Sequence, residues 1–173
     1  MAACLTPKAL EKAQQEADAG VKKWPNDRLI RTMWDSLLAE TGKVDAAASD
    51  LKKLRDGKPD DRDTYIALAN IYDKGQRWNE MGKALDAAEK LSDSDEDKAS
   101  IRFMRGAMYG RMKKLDKAEV ELRTVLKANP ENAGAMKYIA YMLADAMLRS
   151  EESLGLITKT LDIEPVNRAI VGR

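Results

Sequence analysis

The chain contains no histidine, and that removes the commonest general base and metal ligand in a single stroke. Its one cysteine, Cys4, excludes an internal disulfide framework and leaves the redox compartment open. Cys4 is expected to have no role. Its place near the start fits the lipidated first residue of a mature lipoprotein, but the upstream apolar segment that a lipobox needs is absent. Aromatics are scarce, at 5%. No apolar run approaches the ~20 residues that a membrane-spanning helix requires, and the first seven residues lack the basic-then-apolar pattern of a secretory signal. Lys and Arg number 30 against 29 Asp and Glu, a net charge of +1 that provides no electrostatic argument for nucleic acid. Gly-rich phosphate loops, clustered cysteines and nucleophile elbows are missing as well. These absences predict a protein that is not an enzyme and takes no cofactor and no metal.

What is present is a ladder of prolines. Pro25 and Pro59 stand 34 residues apart, and the same step leads on to Asp93, where the next proline would fall. Steps of 37 and 35 then reach Pro130 and Pro165. A fixed period of this size marks one supersecondary unit that buries its apolar face only against its neighbours. Twelve residues before each rung stand Ala13, Ala47, Met81, Ala118 and Ser153, and one helical turn further on come Ala17, Leu51, Leu85, Leu122 and Ile157. Each full unit opens with another apolar-periodic stretch, such as Tyr65, Leu68, Ala69 and Tyr72, or Met136, Ile139, Ala140 and Leu143. Two amphipathic helices per unit follow.

The breakers agree. Glu40-Thr41-Gly42-Lys43 and Lys74-Gly75-Gln76-Arg77 separate the two helices, with glycine expected as the left-handed residue. Acidic or amide residues after the prolines, Asn26-Asp27, Asp60-Asp61, Glu131-Asn132 and Asn167, are expected to cap the following helix. Thr6-Pro7 reads as a cap and first helical position, opening a helix to about Lys23. Ala69, Gly106 and Ala140 mark where the paired helices approach most closely. The alternating acids of Ser92 to Lys98 invite a calcium-loop reading. Counted from Asp93, however, Lys98 and Met104 hold the places where that loop needs glycine and glutamate, so a solvated joint favouring the next helix start is expected.

Tyr65-x2-Leu68-Ala69-x2-Tyr72, followed by Trp78, Met81, Leu85 and Ala88, resembles the tetratricopeptide repeat. Gly106, Tyr109, Leu115, Ala118, Leu122, Val125 and Pro130 form a second copy, and Leu38, Gly42, Val44, Ala47, Leu51, Leu54 and Pro59 a third. The last copy, Met136 to Pro165, departs most, with one extra residue near Ala146 to Ser150. The resemblance implies an all-α, right-handed α-solenoid of antiparallel helix pairs, about nine helices in one domain over 1–173. Its units are 7–25 (second helix only), 27–59, 61–93, 96–130 and 132–165, with 166–173 starting a further helix or a tail. The leading half unit gives the expectation of a fragment of a longer solenoid, against a complete chain with a lone capping helix.

In that family the first helices of successive units line a groove that holds peptides or partner helices. The resemblance therefore implies a scaffold or adaptor for protein–protein interaction, whose partner is another protein. The groove candidates are Met33, Ser36, Ile66, Asn70, Lys74, Phe103, Met104, Ala107, Arg111, Lys137, Tyr138 and Tyr141, with Thr32 beside them. They form a mainly apolar strip with a basic edge, suited to an amphipathic helix or an extended apolar segment. The competing reading is that several of them pack between units. The clamp by which chaperone-binding members hold a C-terminal carboxylate is missing: Asn70 matches one of its places, but Ile66, Met104, Gly134 and Tyr138 occupy others. Two further functions stay open. One is a homo-oligomer through exposed solenoid ends, and the other is RNA binding in the manner of the related pentatricopeptide repeat, which the neutral charge opposes. Nothing fixes the compartment, cytoplasmic or, if a parent protein carries a signal, periplasmic.

Overall fold

The structure is a computed structural model that describes residues 7–58, 60–145 and 150–163. Cys4, Thr6, Pro59, the insertion at 146–149, Pro165, Asn167 and the segment 166–173 lie outside the described residues. Among those described there are nine helices and no strand. They divide into two compact units, Met1–Ser92 and Asp93–Arg173.

The first unit holds α1 (Pro7–Lys23), α2 (Arg28–Glu40), α3 (Val44–Lys53), α4 (Asp61–Lys74) and α5 (Trp78–Lys90). Successive helices pack on one another, and α2 also rests on α4, so that α2 sits in the seat formed by α3 and α4. Ala47, Leu51, Leu68, Ala69, Ile71, Met81, Leu85 and Ala88 are all buried and supply most of the core. The second unit holds α6 (Asp95–Arg111), α7 (Leu115–Ala128), α8 (Ala133–Asp145) and α9 (Ser150–Ile163). The arrangement repeats, with α6 packed on both α7 and α8. Leu122, Val125, Ala135, Ile139 and Leu143 form its core cluster, with Phe103, Tyr138 and Leu156 packed against it.

The helix-to-helix turns are built alike. The carbonyls of Leu38, Tyr72 and Tyr109 accept from the backbone N–H groups of Lys43, Arg77 and Lys114, five residues on, at 3.0, 2.8 and 2.9 Å. This closes the helix ends in the six-to-one manner that requires a left-handed residue just before the donor. In the first turn that residue is Gly42, at φ 82°. In the second it is Gln76, at φ 53°, and in the third Lys113, at φ 58°. The expectation that glycine fills the left-handed place is thus corrected for the second turn. Gly75 has φ −82° and serves close packing instead, because a Cβ there would stand 2.9 Å from the Val44 side chain.

The joints between pairs use side-chain caps. Asp27 accepts from the Ile30 N–H at 3.0 Å, Ser94 from Asp97 at 3.0 Å, and Asn132 from Ala135 at 2.8 Å. Ser94 precedes Asp95, Glu96 and Asp97 in the first turn of α6, where carboxylates meet the positive end of the helix dipole. The joint before α4 departs from expectation, since Asp60 makes no side-chain cap. Its neighbour Asp61 turns back into the loop and accepts from the N–H groups of Asp56 and Gly57 at 3.3 and 2.9 Å. A loop with unpaired donors is costly to bury, and one carboxylate satisfies two of them.

Candidate functional site

The first helices α2 and α4 carry the groove candidates of the first unit, spaced by helical turns. Met33 is 58% exposed, Asn70 is exposed, and Ser36 and Ile66 are half-buried. The Ser36 hydroxyl is spent on the Thr32 carbonyl at 2.9 Å. Lys74 reaches Glu40, the residue 34 positions earlier in the preceding helix pair, and forms an ion pair with it. Equivalent places in two consecutive repeats thus carry opposite charges and neutralise each other.

Between α1 and α2 lies an open cleft of about 580 Å³. Ala13, Ala17 and Gly20 line it from α1, and Ile30, Met33 and Leu37 from α2, with the carboxylates Glu16 and Glu40 also on its wall. The small residues of α1 allow a close approach: a Cβ on Gly20 would stand 3.2 Å from Ile30.

The second unit brings its candidates together differently. The Phe103 and Tyr138 rings meet edge to face, 6.3 Å apart at 83°, the arrangement that the ring quadrupoles favour. Tyr138 donates its hydroxyl to the Ala107 carbonyl at 3.0 Å, and Ala107 itself is buried. These three residues are held within the unit's own packing. Met104 and Lys137 are half-buried and Arg111 is exposed, while Tyr141 stands 66% exposed. Beside it a cleft of about 370 Å³ is lined by Gly110, Lys113, Leu115, Tyr138, Tyr141 and Met142.

One chemically distinctive residue is not among those expected from the sequence. Asp35 on α2 is 0% exposed, and neither of its carboxylate oxygens has a hydrogen-bond partner. Burial, and after it the nearby Asp50 carboxylate, push its pKa from the ordinary 3.8 up to about 7. Arg31 points to Asp50, with Nε 3.1 Å from one oxygen, and this hydrogen bond raises the guanidinium pKa. The period itself carries the signal: 34 residues before Ala69 is Asp35. Among the described residues, no group of three or more acidic, histidine or cysteine side chains is placed to hold a metal ion, and no helix is long and apolar enough to cross a membrane.

No known protein-family profile matches the chain. A TPR repeat-containing protein of Pseudomonas aeruginosa is 29% identical over 136 residues, which cover 78% of this chain and 22% of that protein. A pentatricopeptide repeat-containing protein of Arabidopsis thaliana is 34% identical over 80 residues, 44% of this chain and 12% of that protein. The chain therefore spans less than a quarter of the length of these relatives. Among solved structures, a thermophilic TPR protein of Thermus thermophilus superposes with a TM-score of 0.70 at 21% identity, covering 91% of this chain and 84% of that one. MamA gives 0.67 at 19% identity, over 94% and 92%. YrrB, described as a TPR protein with an unusual peptide-binding site, gives 0.60 at 21% identity, over 91% and 79%. The chain has the tetratricopeptide-repeat fold, in line with the repeat read from its sequence.

Proposed function

We propose that the chain is a non-catalytic protein-interaction scaffold that holds a peptide or an amphipathic helix of a partner against the first helices of its repeats. The observation that carries this reading is the open apolar cleft of about 580 Å³ at α1 and α2, with Met33 58% exposed on its wall. A flexible thioether beside small residues adapts to varied apolar side chains, and an apolar trough on a helical scaffold is a recurring way to take a helix. In the second unit, exposed Tyr141 offers a large apolar body with a polar tip. YrrB supports peptide binding at the level of fold alone.

Panning a displayed library of helical peptides against the chain tests this. Amide shifts on α2, centred on Thr32, Met33 and Ser36, when a selected peptide is added would support it. Binders that leave α2 and Tyr141 unperturbed would refute it.

A second reading, self-association through the ends, draws on Leu154 of α9, which is 65% exposed, and on Ile163. Sedimentation velocity over a range of concentrations separates the two: an unchanging monomer rules out self-association. The pentatricopeptide likeness raises RNA, against which the net charge of +1 weighs. Salt-independent failure to retain a single-stranded RNA on a filter would dismiss it.

A further inference from the structure

Asp35 is the misfit member of an otherwise small row. Its counterparts in the other first helices are Ala69, Gly106 and Ala140, all buried. What that place demands is visible at Gly106, where a Cβ would stand 2.8 Å from Leu122 and 3.4 Å from the Ala118 carbonyl oxygen, and at Ala140, whose carbonyl accepts from Ser153 of the paired helix. At Gly106 and Ala140 the row lies directly against the second helix of the pair. In α2 it holds a carboxyl group, fully buried with both oxygens unpartnered.

The charges around Asp35 do not rescue its ionised form. Arg31, on the same helix, is committed to Asp50. Asp50, on α3, is itself negative and opposes ionisation, and Lys53, also on α3, is shared with Asp50 at 3.8 Å. The other helices packed on α2, α1 and α4, add no charge to this set. An ionised carboxylate with no partner is far more costly to bury than a neutral carboxyl.

We propose that Asp35 makes the α2–α3 hairpin a proton-operated element, closed while the carboxyl is protonated and loosened when it ionises. Opening the hairpin lets water reach the carboxylate, so proton release and opening are linked. A consequence that rests on the proposed function is that acid tightens the presentation of Met33 and Ser36, which share α2. The linkage itself involves no ligand and stands or falls without one.

Native-state hydrogen exchange on the 173-residue chain, corrected for intrinsic rates, reads the opening directly. The opening constant of α2 and α3 amides should rise roughly tenfold per pH unit between about pH 5 and 6.5, and flatten above about 7. The amides of α7 and α8 serve as a reference that does not rise. Asp35→Asn and Asp35→Ala should both abolish the slope, and Asp35→Ala, which restores the small residue of the row, should increase protection at pH 7.5. A flat wild-type profile, or a slope that survives in Asp35→Ala, overturns the proposal. Carbon-detected titration of the Asp35 carboxyl is an independent test: a midpoint near 7 supports the proposal and one near 4 sinks it.

Discussion

Arg28, at the start of α2, reaches the Asp61 carboxylate at the start of α4 across 3.3 Å, while its other terminal nitrogen donates to the Leu54 carbonyl at 2.8 Å. Asp61 is buried and in turn accepts from two loop N–H groups. One pair of side chains thereby fastens two successive first helices and the loop between α3 and α4. Asp61→Ala would leave the Asp56 and Gly57 N–H groups without this acceptor and take one partner from the Arg28 guanidinium, which keeps the Leu54 carbonyl. The expected cost is about 2–3 kcal/mol in urea unfolding. Arg28→Ala should cost less, because Asp61 keeps its backbone donors.

The three helix-to-helix turns make a second test. Gln76 and Lys113 adopt the left-handed conformation that Gly42 occupies in the first turn, at a cost that glycine does not bear. Gln76→Gly and Lys113→Gly should each stabilise the chain by about 0.5–1 kcal/mol, and Gly42→Ala should destabilise it by a similar amount, all read from thermal melts.

Two helical glycines should respond in opposite directions. At Gly106 an added Cβ meets Leu122 at 2.8 Å, so Gly106→Ala overpacks the α6–α7 contact and should cost about 1–3 kcal/mol. Gly155 on α9 has nothing within 4 Å. Gly155→Ala should therefore stabilise by up to about 1 kcal/mol through helix propensity alone.

The global stability of Asp35→Ala relative to wild type should depend on pH. The folded-state pKa of Asp35 stands above its unfolded value, so the folded wild type binds the extra proton between about 3.8 and 7 and loses stability as pH rises through that window. The variant's advantage should be smallest near pH 4 and grow to the order of a few kcal/mol at pH 7 and above. Urea midpoints at pH 4.5, 6 and 7.5 measure it, and an advantage that shrinks with rising pH would contradict the assignment.

Much of the fold can be read without coordinates, because a repeat states its own register several times. The breakers at 41–43 and 75–77, the caps at Asp27 and Asn132, and the close contacts at Gly106 and Ala140 all follow from residue chemistry repeated at one period. The Asp60-Asp61 pair reads in sequence as a cap, but Asp60 makes no side-chain cap and Asp61 is turned to the N–H groups of the preceding loop and to Arg28, a role set by the course of that loop. Gly75 is ambiguous too, since a glycine beside a turn serves equally as a left-handed residue or as room for a neighbour, here Val44. The groove is the least legible part. Helical spacing places Phe103, Tyr138 and Tyr141 alike, yet the first two pack together on the core while Tyr141 faces solvent. Asp35 is hidden because a charged residue in a small-residue row breaks the pattern by which the row is recognised.

In the proposed complex a partner segment seats on exposed first-helix side chains. The most direct measurement takes one helical peptide selected on the wild-type chain and titrates it against Met33→Glu and Tyr141→Glu. Both sites are exposed, so unchanged thermal melts are expected to accompany the substitutions. Met33→Glu should bind at least about tenfold more weakly, a loss of the size typical of an anchoring contact. Wild-type affinity in both variants, with the fold intact, would contradict it.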